Sequence, residues 1–559
     1  MSSRGLRRLI PAVIFVLLMV IGFGSARYLA AFKVERGPGS LAVGVSPGVR
    51  EDVERLVAAY LSADPECDVT LVESDGTHAG LLELLRSGAV DGVFAETDLL
   101  ERAGLQPDAA GFHQARLLSV DFPSPHRSVS LEEARSILAE LEAGRPGPWP
   151  AAGLAVIGLA ERSPDRQLLS VEGVYPTLDT VLDGSYPLAT EVGFVLRRPS
   201  GLAAALSRLP GVGTWLEPNR AVVRAFAEWL GTAEARAAFH GVTGEITLAA
   251  VGDVMLARKT QREIDKYGLD YPFGNVAELL SSADITFCNL EAPLGDTGTP
   301  IPGKGIWLRG RPEFVECLKL AGMDVVSVCN NHILDYDSPC MLQTLDLLTE
   351  AGMVYVGGGR DEKDARTVRV VEADGIRLAF VGYTEFADSW LFWDYDYRRT
   401  FLAGEDTPGC NPLDMTIIAE DIARAKEMAD IVVVSFHWGW EDIPYPQAFN
   451  PKNDCVAIAH QVIDLGASVV LGHHPHIVQG FEVYGGGVIA YSLGNFVNDQ
   501  AKVHQKEGTI LELQLSPEGV LSARITPVWI ESTAPRFMEG DELRQMMEKI
   551  ERLSAVFGD

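Results

Sequence analysis

The second half of the chain contains a series of apolar segments that each end in residues able to bind a metal ion. The segments are ITLAAVGDVML (246–256), ADITFCNLEAPL (283–294), MDVVSVCNNHILDY (323–336), DIVVVSFHWGWE (430–441), ASVVLGHHPHIVQG (467–480) and GVIAYSLGNF (487–496). The polar residues that they deliver are Asp253, Asn289, Glu291, Asn330, Asn331, His332, Asp335, His437, His473, His474, His476 and Asn495. Short apolar runs are typical of buried strands, and α/β proteins build sites at the carboxyl ends of such strands. The repetition indicates one shared site.

These side chains together suit a divalent transition metal. Imidazole, carboxylate and amide oxygen ligands favour ions of the Mn, Fe, Zn or Co type over Ca. Alternate residues of an extended segment project the same way, so His474 and His476 are expected to share a site. Two ions bridged by a carboxylate would hold both the attacking water and the leaving oxygen of a phosphoester.

Two further pairs of residues have a candidate role beside the metal ligands. His332 is the candidate general acid for the leaving oxygen, with Asp335 as the residue that orients it. The alternative is that His332 only braces its neighbour Asn331. Trp438 and Trp440 could line a substrate cleft, or they could pack in the core.

Strands and amphipathic helices alternate along the chain, which predicts an α/β fold with largely parallel sheets. We divide the chain into a membrane anchor or signal segment with a Gly/Pro linker (1–40), a first folded domain (41–244), the domain that carries the metal-competent residues (245–531) and a helical tail (532–559). The chemistry is expected in the third of these segments.

The N-terminal segment contains an uncharged apolar run over residues 9–26. A bilayer core is spanned by roughly 20 apolar residues in a helix, so the run predicts a single membrane anchor with the body outside the cytoplasm. The small residues at 24–26 leave a cleaved signal peptide, and hence secretion, as an alternative, and a buried core helix as a third possibility.

Charge and cysteine content restrict the class of protein. The 559 residues include 77 Asp and Glu against 47 Lys and Arg, a formal net charge of −30. Nucleic acid is therefore not an expected partner, because duplex binding depends on Lys and Arg. Seven cysteines with no CxxC pattern do not form a zinc ribbon, and they leave buried thiols or disulfides open.

Residues 245–530 resemble the CapA family of capsule and poly-γ-glutamate synthesis proteins. The strings that carry the resemblance are GDVML, CNLEAPL, CNNHILDY, FHWGWE, GHHPHIVQG and YSLGNF. That family resembles a branch of the calcineurin-like metallophosphoesterases, which implies a four-layer αββα domain. It also implies other capsule synthesis subunits as partners, and an anionic polymer or a phosphoester as substrate.

The resemblance assigns roles to individual residues. It implies one or two divalent metal ions with Asp253, Glu291 as the bridging carboxylate, Asn331, His437, His474 and His476 as ligands. His332 corresponds to the catalytic histidine. Two departures stand out: Met255 occupies a position where the wider superfamily has a histidine, and Glu291 replaces the usual aspartate.

Residues 41–244 resemble phosphate-type periplasmic solute-binding proteins in the segments 73–95, 128–149, 171–197 and 225–239. The resemblance implies a two-lobed fold that holds a small anion at helix N-termini. Ser46, Ser74 and Thr77 are the matching positions, although Ser46 could be a plain helix cap. The segment 159–169 lacks the Ser-Gly-Thr loop of that family.

Three functional hypotheses follow. The first is a membrane-anchored, extracytoplasmic metal-dependent hydrolase that acts in capsule or poly-γ-glutamate production. The second is a non-catalytic accessory of polymer synthesis or export, and the third is a ligand sensor that acts through residues 41–244. Because the acidic body repels an anionic polymer, contact with it should depend on metal or on added cations.

Overall fold

A computed structural model describes residues 40–557, except 66, 88, 125, 144, 146–153, 198–219, 242–243 and 389–399. The predicted membrane segment at 9–26 and most of the linker that follows it lie outside the described residues. Within the described ranges, no helix combines the length and the apolar character that crossing a membrane requires.

The chain forms two compact units. Unit 1 combines Met1–Ala115 with Val181–Gly241, and unit 2 combines Arg116–Thr180 with Val242–Asp559, each as far as the structure describes it. The domain predicted over residues 41–244 therefore contributes to both units. The sequence pattern did not indicate this division, because alternating strands and helices look the same on either side of it.

Unit 1 is built on a five-stranded mixed sheet. In spatial order its strands are Asp68–Glu73, Ser40–Val45, Gly92–Glu96, Ala189–Leu196 and Ala109–Ala115, and Ala189–Leu196 runs antiparallel to both of its neighbours. Its helices are Arg50–Ala63, His78–Ser87, Thr97–Arg102, Arg220–Trp229 and Ala233–His240. Phe94, Phe112, Phe194 and Phe226 are fully buried in its core.

Unit 2 contains two large sheets. The first has the order Val354–Val356, Val325–Ser327, Ile285–Leu290, Ile246–Val254, Glu507–Ser516, Gly519–Glu531 and Ala534–Phe537, and Asn495–Val497 also pairs with Ile246–Val254. The second has the order Arg369–Ala373, Ile376–Thr384, Ile431–His437, Val469–His473, Gly487–Ala490 and Phe481–Tyr484. The strands that carry the predicted site residues run parallel within each sheet.

The two sheets of unit 2 share one apolar core. Leu248 and Phe287 of the first sheet pack in the same buried cluster as Phe380 and Val433 of the second. Helices cover the outer faces through separate clusters, with Arg258–Tyr267, Ala277–Ser282, Val315–Leu320 and Asp337–Glu350 on the first sheet and Met415–Met428 and Cys455–Asp464 on the second. The layers therefore run helix, sheet, sheet, helix, and the predicted α/β class is confirmed. The sheets are less parallel than predicted, because each also contains antiparallel pairs at its side.

Three shorter parts complete unit 2. The segment Arg116–Thr180 contains an antiparallel sheet of Ala155–Ile157, Leu117–Asp121 and Arg166–Leu168, a strand pair of Ser128–Val129 and Ser170–Val171, and the helix Leu131–Glu142. Gly358–Gly359 pairs with Gly409–Cys410. The predicted helical tail contributes the strand Ala534–Phe537 and the helix Gly540–Ser554, whose Met546, Met547 and Ile550 belong to the core between the sheets.

Candidate metal centre

Two buried carboxylates form the base of the candidate site. Asp253 lies near the end of the strand Ile246–Val254, and Glu291 follows the neighbouring parallel strand Ile285–Leu290. The amide of Asn289 donates to Asp253 Oδ1 at 2.8 Å and to Glu291 Oε2 at 2.7 Å. One amide therefore joins two carboxylates that are almost completely excluded from solvent. Such a pair requires positive charge nearby.

The second sheet supplies the histidines. His437 ends the strand Ile431–His437 and pairs in register with His473. Its Nε2 atom lies 3.0 Å from Asn331 Oδ1 and 3.1 Å from His474 Nδ1. His476 reaches Asp253, with 3.1 Å between Nδ1 and Oδ2. The structure thus brings all six predicted metal ligands into one buried cluster.

The prediction that strand alternation brings His474 and His476 together is wrong. The strand ends at His473, and both later histidines have a left-handed backbone, with φ of 95° and 59°. Their rings nevertheless lie with centroids 5.8 Å apart. Left-handed backbone in residues other than glycine is strained and clusters at functional sites. The pair is therefore positioned by a tight turn and not by strand alternation.

The fit of this cluster to a metal ion can be tested on its unpartnered atoms. Within the described residues, the buried atoms of the site without a hydrogen-bond partner include Glu291 Oε1, His437 Nδ1 and both ring nitrogens of His473. Asp253 Oδ2, by contrast, is paired with His476. Asp253, Glu291 and His437 each offer a ligand atom within 4.8 Å of the others. A buried polar atom left unpaired costs about 1–3 kcal/mol, so the residues present fit a divalent cation.

The pKa shifts of the cluster also indicate a need for added positive charge. Burial and the charge of Asp253 hold the pKa of Glu291 well above its usual range. Burial also opposes ionisation of Asp253, but His473 and His476 outweigh it and hold the pKa of Asp253 well below its usual range. Burial holds the pKa of His437 and of His474 well below the ordinary value. Both imidazoles are therefore neutral, which is the form that binds metal.

His476 differs from these two histidines. Burial lowers its pKa, but the hydrogen bond and charge of Asp253 outweigh burial and raise the pKa to about 9. The same Nδ1 atom also lies 3.0 Å from Asn495 Oδ1. Without a metal ion, the Asp253 carboxylate therefore favours the protonated form of His476, and metal binding at His476 would release that proton.

The predicted acid, His332, lies at the edge of the cluster. Its Nδ1 atom contacts Asp335 Oδ2 at 2.7 Å, and its Nε2 atom lies 3.9 Å from Glu291 Oε1. Burial lowers the pKa of His332, although the charge of Asp335 opposes this effect. Asp335 thus contacts the far nitrogen of the ring, as the orienting role predicts.

Sequence reasoning missed Lys304. Its ammonium group donates to Asp335 Oδ1 and to the Asn331 carbonyl, and it lies 3.2 Å from His332 Nδ1. Only 4% of its side chain is exposed. A single lysine between two glycines carries no signal that would have identified it, because the loop is distant in sequence from the motif that it contacts.

Asn330 shapes the turn that presents these residues. Its amide donates to Asn289 Oδ1 at 3.1 Å and to the Leu290 carbonyl at 2.8 Å. Its own Oδ1 accepts the backbone N–H groups of His332 and Ile333 at 3.0 and 2.9 Å. Asn330 therefore supports the ligand Asn331 and the candidate acid without contacting the metal-competent atoms itself.

Met255 does not point into the cluster. Its sulfur accepts the Ala257 N–H at 3.3 Å, and its side chain packs with Ala292 and Leu308. A histidine from the other sheet lies beside Asp253 instead, because His473 Nδ1 is 3.6 Å from Asp253 Oδ1. The sequence motifs include His473 but predict no role for it.

The two tryptophans beside His437 have different environments. Trp438 is 1% exposed, and its indole N–H donates to the Tyr491 carbonyl at 3.0 Å, so it is a core residue. Trp440 is 44% exposed and packs on Phe449, with ring centroids 4.6 Å apart. Phe449 in turn packs on Phe386, with ring centroids 5.1 Å apart. The core alternative therefore holds for Trp438.

The three candidate anion ligands lie in unit 1 and make hydrogen bonds within the protein. Ser46 donates its hydroxyl to Glu96 Oε2 at 2.7 Å and makes no side-chain cap. Ser74 Oγ accepts the Gly76 N–H at 3.3 Å, and Thr77 caps the helix His78–Ser87 by accepting the Gly80 N–H at 3.1 Å. A small anion here remains a prediction, and the Glu96 carboxylate opposes it at Ser46.

Unit 2 is thus a mixed α/β structure with a buried carboxylate and imidazole cluster at the strand ends. Comparison with known proteins agrees with the sequence motifs, since residues 247–500 match the bacterial capsule synthesis protein PGA_cap family. The capsule biosynthesis protein CapA of Bacillus anthracis is 31% identical over 327 residues, which are 57% of this chain and 76% of that protein. The PGA biosynthesis protein CapA of Bacillus subtilis is 31% identical over 319 residues, 57% of this chain and 80% of that protein. The chain belongs to this family.

The resemblance of residues 41–244 to solute-binding proteins has little structural support. An ABC-type phosphate transport receptor from Vibrio cholerae aligns with 36% of this chain and 96% of its own, at 13% identity and a TM-score of 0.26. The solute-binding fold of residues 41–244 stays a prediction. The family match covers every candidate metal ligand and leaves unit 1 and the segment Arg116–Thr180 outside it.

Proposed function

We propose that this member of the capsule synthesis family is a metal-dependent hydrolase of the phosphoesterase type that acts in capsule or poly-γ-glutamate biosynthesis. The single observation that carries the proposal is that Glu291 and His437 keep unpartnered buried ligand atoms beside the buried carboxylate of Asp253. Atoms of this kind are unfavourable in a core unless a ligand pairs with them. A purely structural cluster would have no reason to retain them.

The residues divide into metal-holding and proton-handling groups. Asp253, Glu291, Asn331, His437, His474 and His476 would hold one or two divalent ions. A bound ion of this class would polarise a phosphoester and lower the pKa of a bound water. His332 is the proposed proton donor to the leaving oxygen, and its Nε2 atom faces Glu291 on the side of the cluster away from Asp335.

Two parts of the proposal concern location and partners. The apolar run at 9–26 supports a single N-terminal anchor that keeps both units outside the cytoplasm, or a cleaved signal peptide. The net charge of −30 supports a polymer contact that depends on cations. Other capsule synthesis subunits and the membrane are the proposed partners.

The test is metal analysis of the purified full-length chain together with hydrolysis of bis(4-nitrophenyl) phosphate. We expect stoichiometric transition metal and turnover that chelation abolishes. Asp253→Ala and His437→Ala should each remove metal and turnover while the circular dichroism spectrum stays unchanged. His78→Ala, at an exposed position of unit 1, is the matched control and should leave both unchanged.

Each alternative predicts a distinct result. A chain that binds metal but hydrolyses neither mono- nor diesters is the non-catalytic accessory. A chain without stoichiometric metal overturns the hydrolase proposal altogether. The sensor hypothesis predicts that phosphate or another small anion raises the melting temperature, and that Ser46→Ala weakens this rise.

A further inference from the structure

The loop that carries Lys304 is attached to the candidate site at both of its ends. The Ile301 N–H donates to the Asp335 carbonyl at 2.9 Å, and the Leu308 N–H donates to Asp335 Oδ2 at 2.6 Å. The Trp307 indole donates back to the Ile301 carbonyl at 2.7 Å, which closes the base of the loop. Asp335 is thus the attachment point of the whole loop.

The tip of the loop turns its lysine inward. Gly303 and Gly305 have φ of 75° and 86°, a backbone conformation that favours glycine. The residues around the tip are exposed, whereas the Lys304 side chain is 4% exposed. An exposed loop that buries one ammonium group needs a specific partner for that charge, and the site supplies it.

Three polar contacts of Lys304 lie in one short turn. Its Nζ atom donates to the Asn331 carbonyl and to Asp335 Oδ1, the first and last residues of Asn331–Asp335. The Asn331 side chain points to His437 Nε2 at 3.0 Å, and His332 points its Nε2 atom to Glu291. One ammonium group therefore fixes the turn from which a candidate metal ligand and the candidate acid project.

We propose that Lys304 is a positioning residue of the hydrolase site, which holds the Asn331 amide on the metal side and the His332 ring on the substrate side of the same turn. This inference rests on the proposed function. Lys304 acts through Asn331 and Asp335 and contacts no substrate. Groups that orient metal ligands in this way typically contribute about 10–100-fold to metal affinity or activity.

The experiment uses Lys304→Met in the full-length chain, with Lys319→Met as the matched control. Lys319 is an exposed lysine on the helix Val315–Leu320. We expect Lys304→Met to bind Mn²⁺ about 10–100-fold more weakly and to lose turnover by a similar factor. The KM for bis(4-nitrophenyl) phosphate at saturating Mn²⁺ should stay at the wild-type value, since Lys304 does not contact substrate. Unchanged Mn²⁺ affinity and unchanged kcat in Lys304→Met would overturn the proposal.

A rescue experiment separates positioning from a general structural role. Alkylation of Lys304→Cys with 2-bromoethylamine gives a lysine analogue in which a sulfur replaces the γ-methylene and the ammonium group is restored. Alkylation with iodoacetamide gives a neutral amide instead. All seven native cysteines are buried, whereas position 304 lies at the loop tip between exposed Gly303 and Gly305, which favours alkylation there. We expect the ammonium form alone to recover Mn²⁺ affinity and kcat. Equal values for the two alkylated forms, or failure of both variants to fold, would overturn the positioning role.

The two proposals fail in different ways. If the wild-type chain binds no transition metal, both are overturned. If it binds Mn²⁺ but hydrolyses nothing, the hydrolase proposal fails alone, and the Mn²⁺ affinity of Lys304→Met relative to Lys319→Met decides the role of Lys304.

Discussion

At the scale of single residues, Asp253 and Glu291 explain why the core of this protein needs a cation. Both carboxylates accept from the one amide of Asn289 and are almost fully buried. Burial, together with the charge of Asp253, raises the pKa of Glu291, which means that the metal-free fold resists having both carboxylates ionised. His476 offsets one of the two charges. A divalent ion would offset the other.

This arrangement predicts opposite effects of Glu291→Gln in the presence and absence of metal. Without metal, the neutral amide removes the repulsion, so we expect the free energy of unfolding to rise by about 0.5–2 kcal/mol. The pKa of Glu291 is higher in the folded than in the unfolded state. In the metal-free wild type, ionisation of Glu291 therefore lowers the free energy of unfolding as the pH rises above the unfolded pKa. The gain from Glu291→Gln should therefore be larger at pH 8 than at pH 5.

Thermal unfolding in EDTA and in excess Mn²⁺ measures both effects. Wild type should gain stability with Mn²⁺ by mass action, and Glu291→Gln should not. Glu278→Gln, on the helix Ala277–Ser282, is the control and should behave as wild type. Destabilisation of the metal-free chain by Glu291→Gln would contradict the repulsion argument.

At the scale of elements, one buried carboxylate organises the loop after His437. Glu385 accepts the backbone N–H groups of Gly439, Phe449 and Asn450 at 2.7–3.0 Å and the Asn453 amide at 3.0 Å. The loop thus returns to the strand Ile376–Thr384, beside which His437 ends. Its fixed course places the exposed Trp440 near the cluster through Phe449 and Phe386.

We expect Glu385→Gln to loosen this loop. A hydrogen bond to a charged group contributes about 1.5–3 kcal/mol, and a glutamine oxygen cannot replace both carboxylate acceptors. Hydrogen exchange should therefore accelerate in residues 438–453 and stay unchanged in the strand Val469–His473. Glu427→Gln, at an exposed helical position, is the control. Unchanged exchange over 438–453 would show that Glu385 does not hold the loop.

The secondary structure of unit 1 could be read from the sequence to within a few residues. The short apolar runs at 41–45, 69–72 and 90–94 predict strands, and the structure has the strands Ser40–Val45, Asp68–Glu73 and Gly92–Glu96 there. Thr77 caps the helix His78–Ser87, whereas Ser46, the predicted cap, precedes the short 3-10 turn Pro47–Val49 and bonds to Glu96 instead. Local propensity decides where an element lies, but a cap can be replaced by a tertiary partner.

At the scale of the whole molecule, the segment Arg116–Thr180 belongs to unit 2 through buried polar contacts. Arg162, fully buried, donates to Glu245 Oε2 at 2.6 Å, and Arg127 donates to Thr526 Oγ1 at 3.0 Å. A cavity of about 410 Å³ lies beside these contacts and is lined in part by Glu245 and Arg524. A fragment that starts at residue 245 would therefore expose a face that the intact chain covers.

We expect Arg162→Met to destabilise unit 2 strongly. Removal of one partner of a buried ion pair costs about 3–5 kcal/mol, because the other charge stays buried and unpaired. The double variant Arg162→Met/Glu245→Gln should recover most of that loss. Arg145→Met, with 58% of its side chain exposed, is the control in the same segment. Denaturant titration of each full-length variant measures its free energy of unfolding. Additive effects of Arg162→Met and Glu245→Gln would contradict the pairing.

The sequence by itself determined which residues could hold a metal and that they follow buried strands. Residue type and hydrophobic pattern are local properties, so Asp253, Glu291, His437 and their partners could be identified without coordinates. The family followed from the same motifs. Only the tertiary structure decided that Lys304 reaches the turn at His332, that His473 and not Met255 lies beside Asp253, and that Arg116–Thr180 packs in unit 2. Those contacts join residues far apart in sequence, and their partners are chosen by packing and charge pairing in three dimensions.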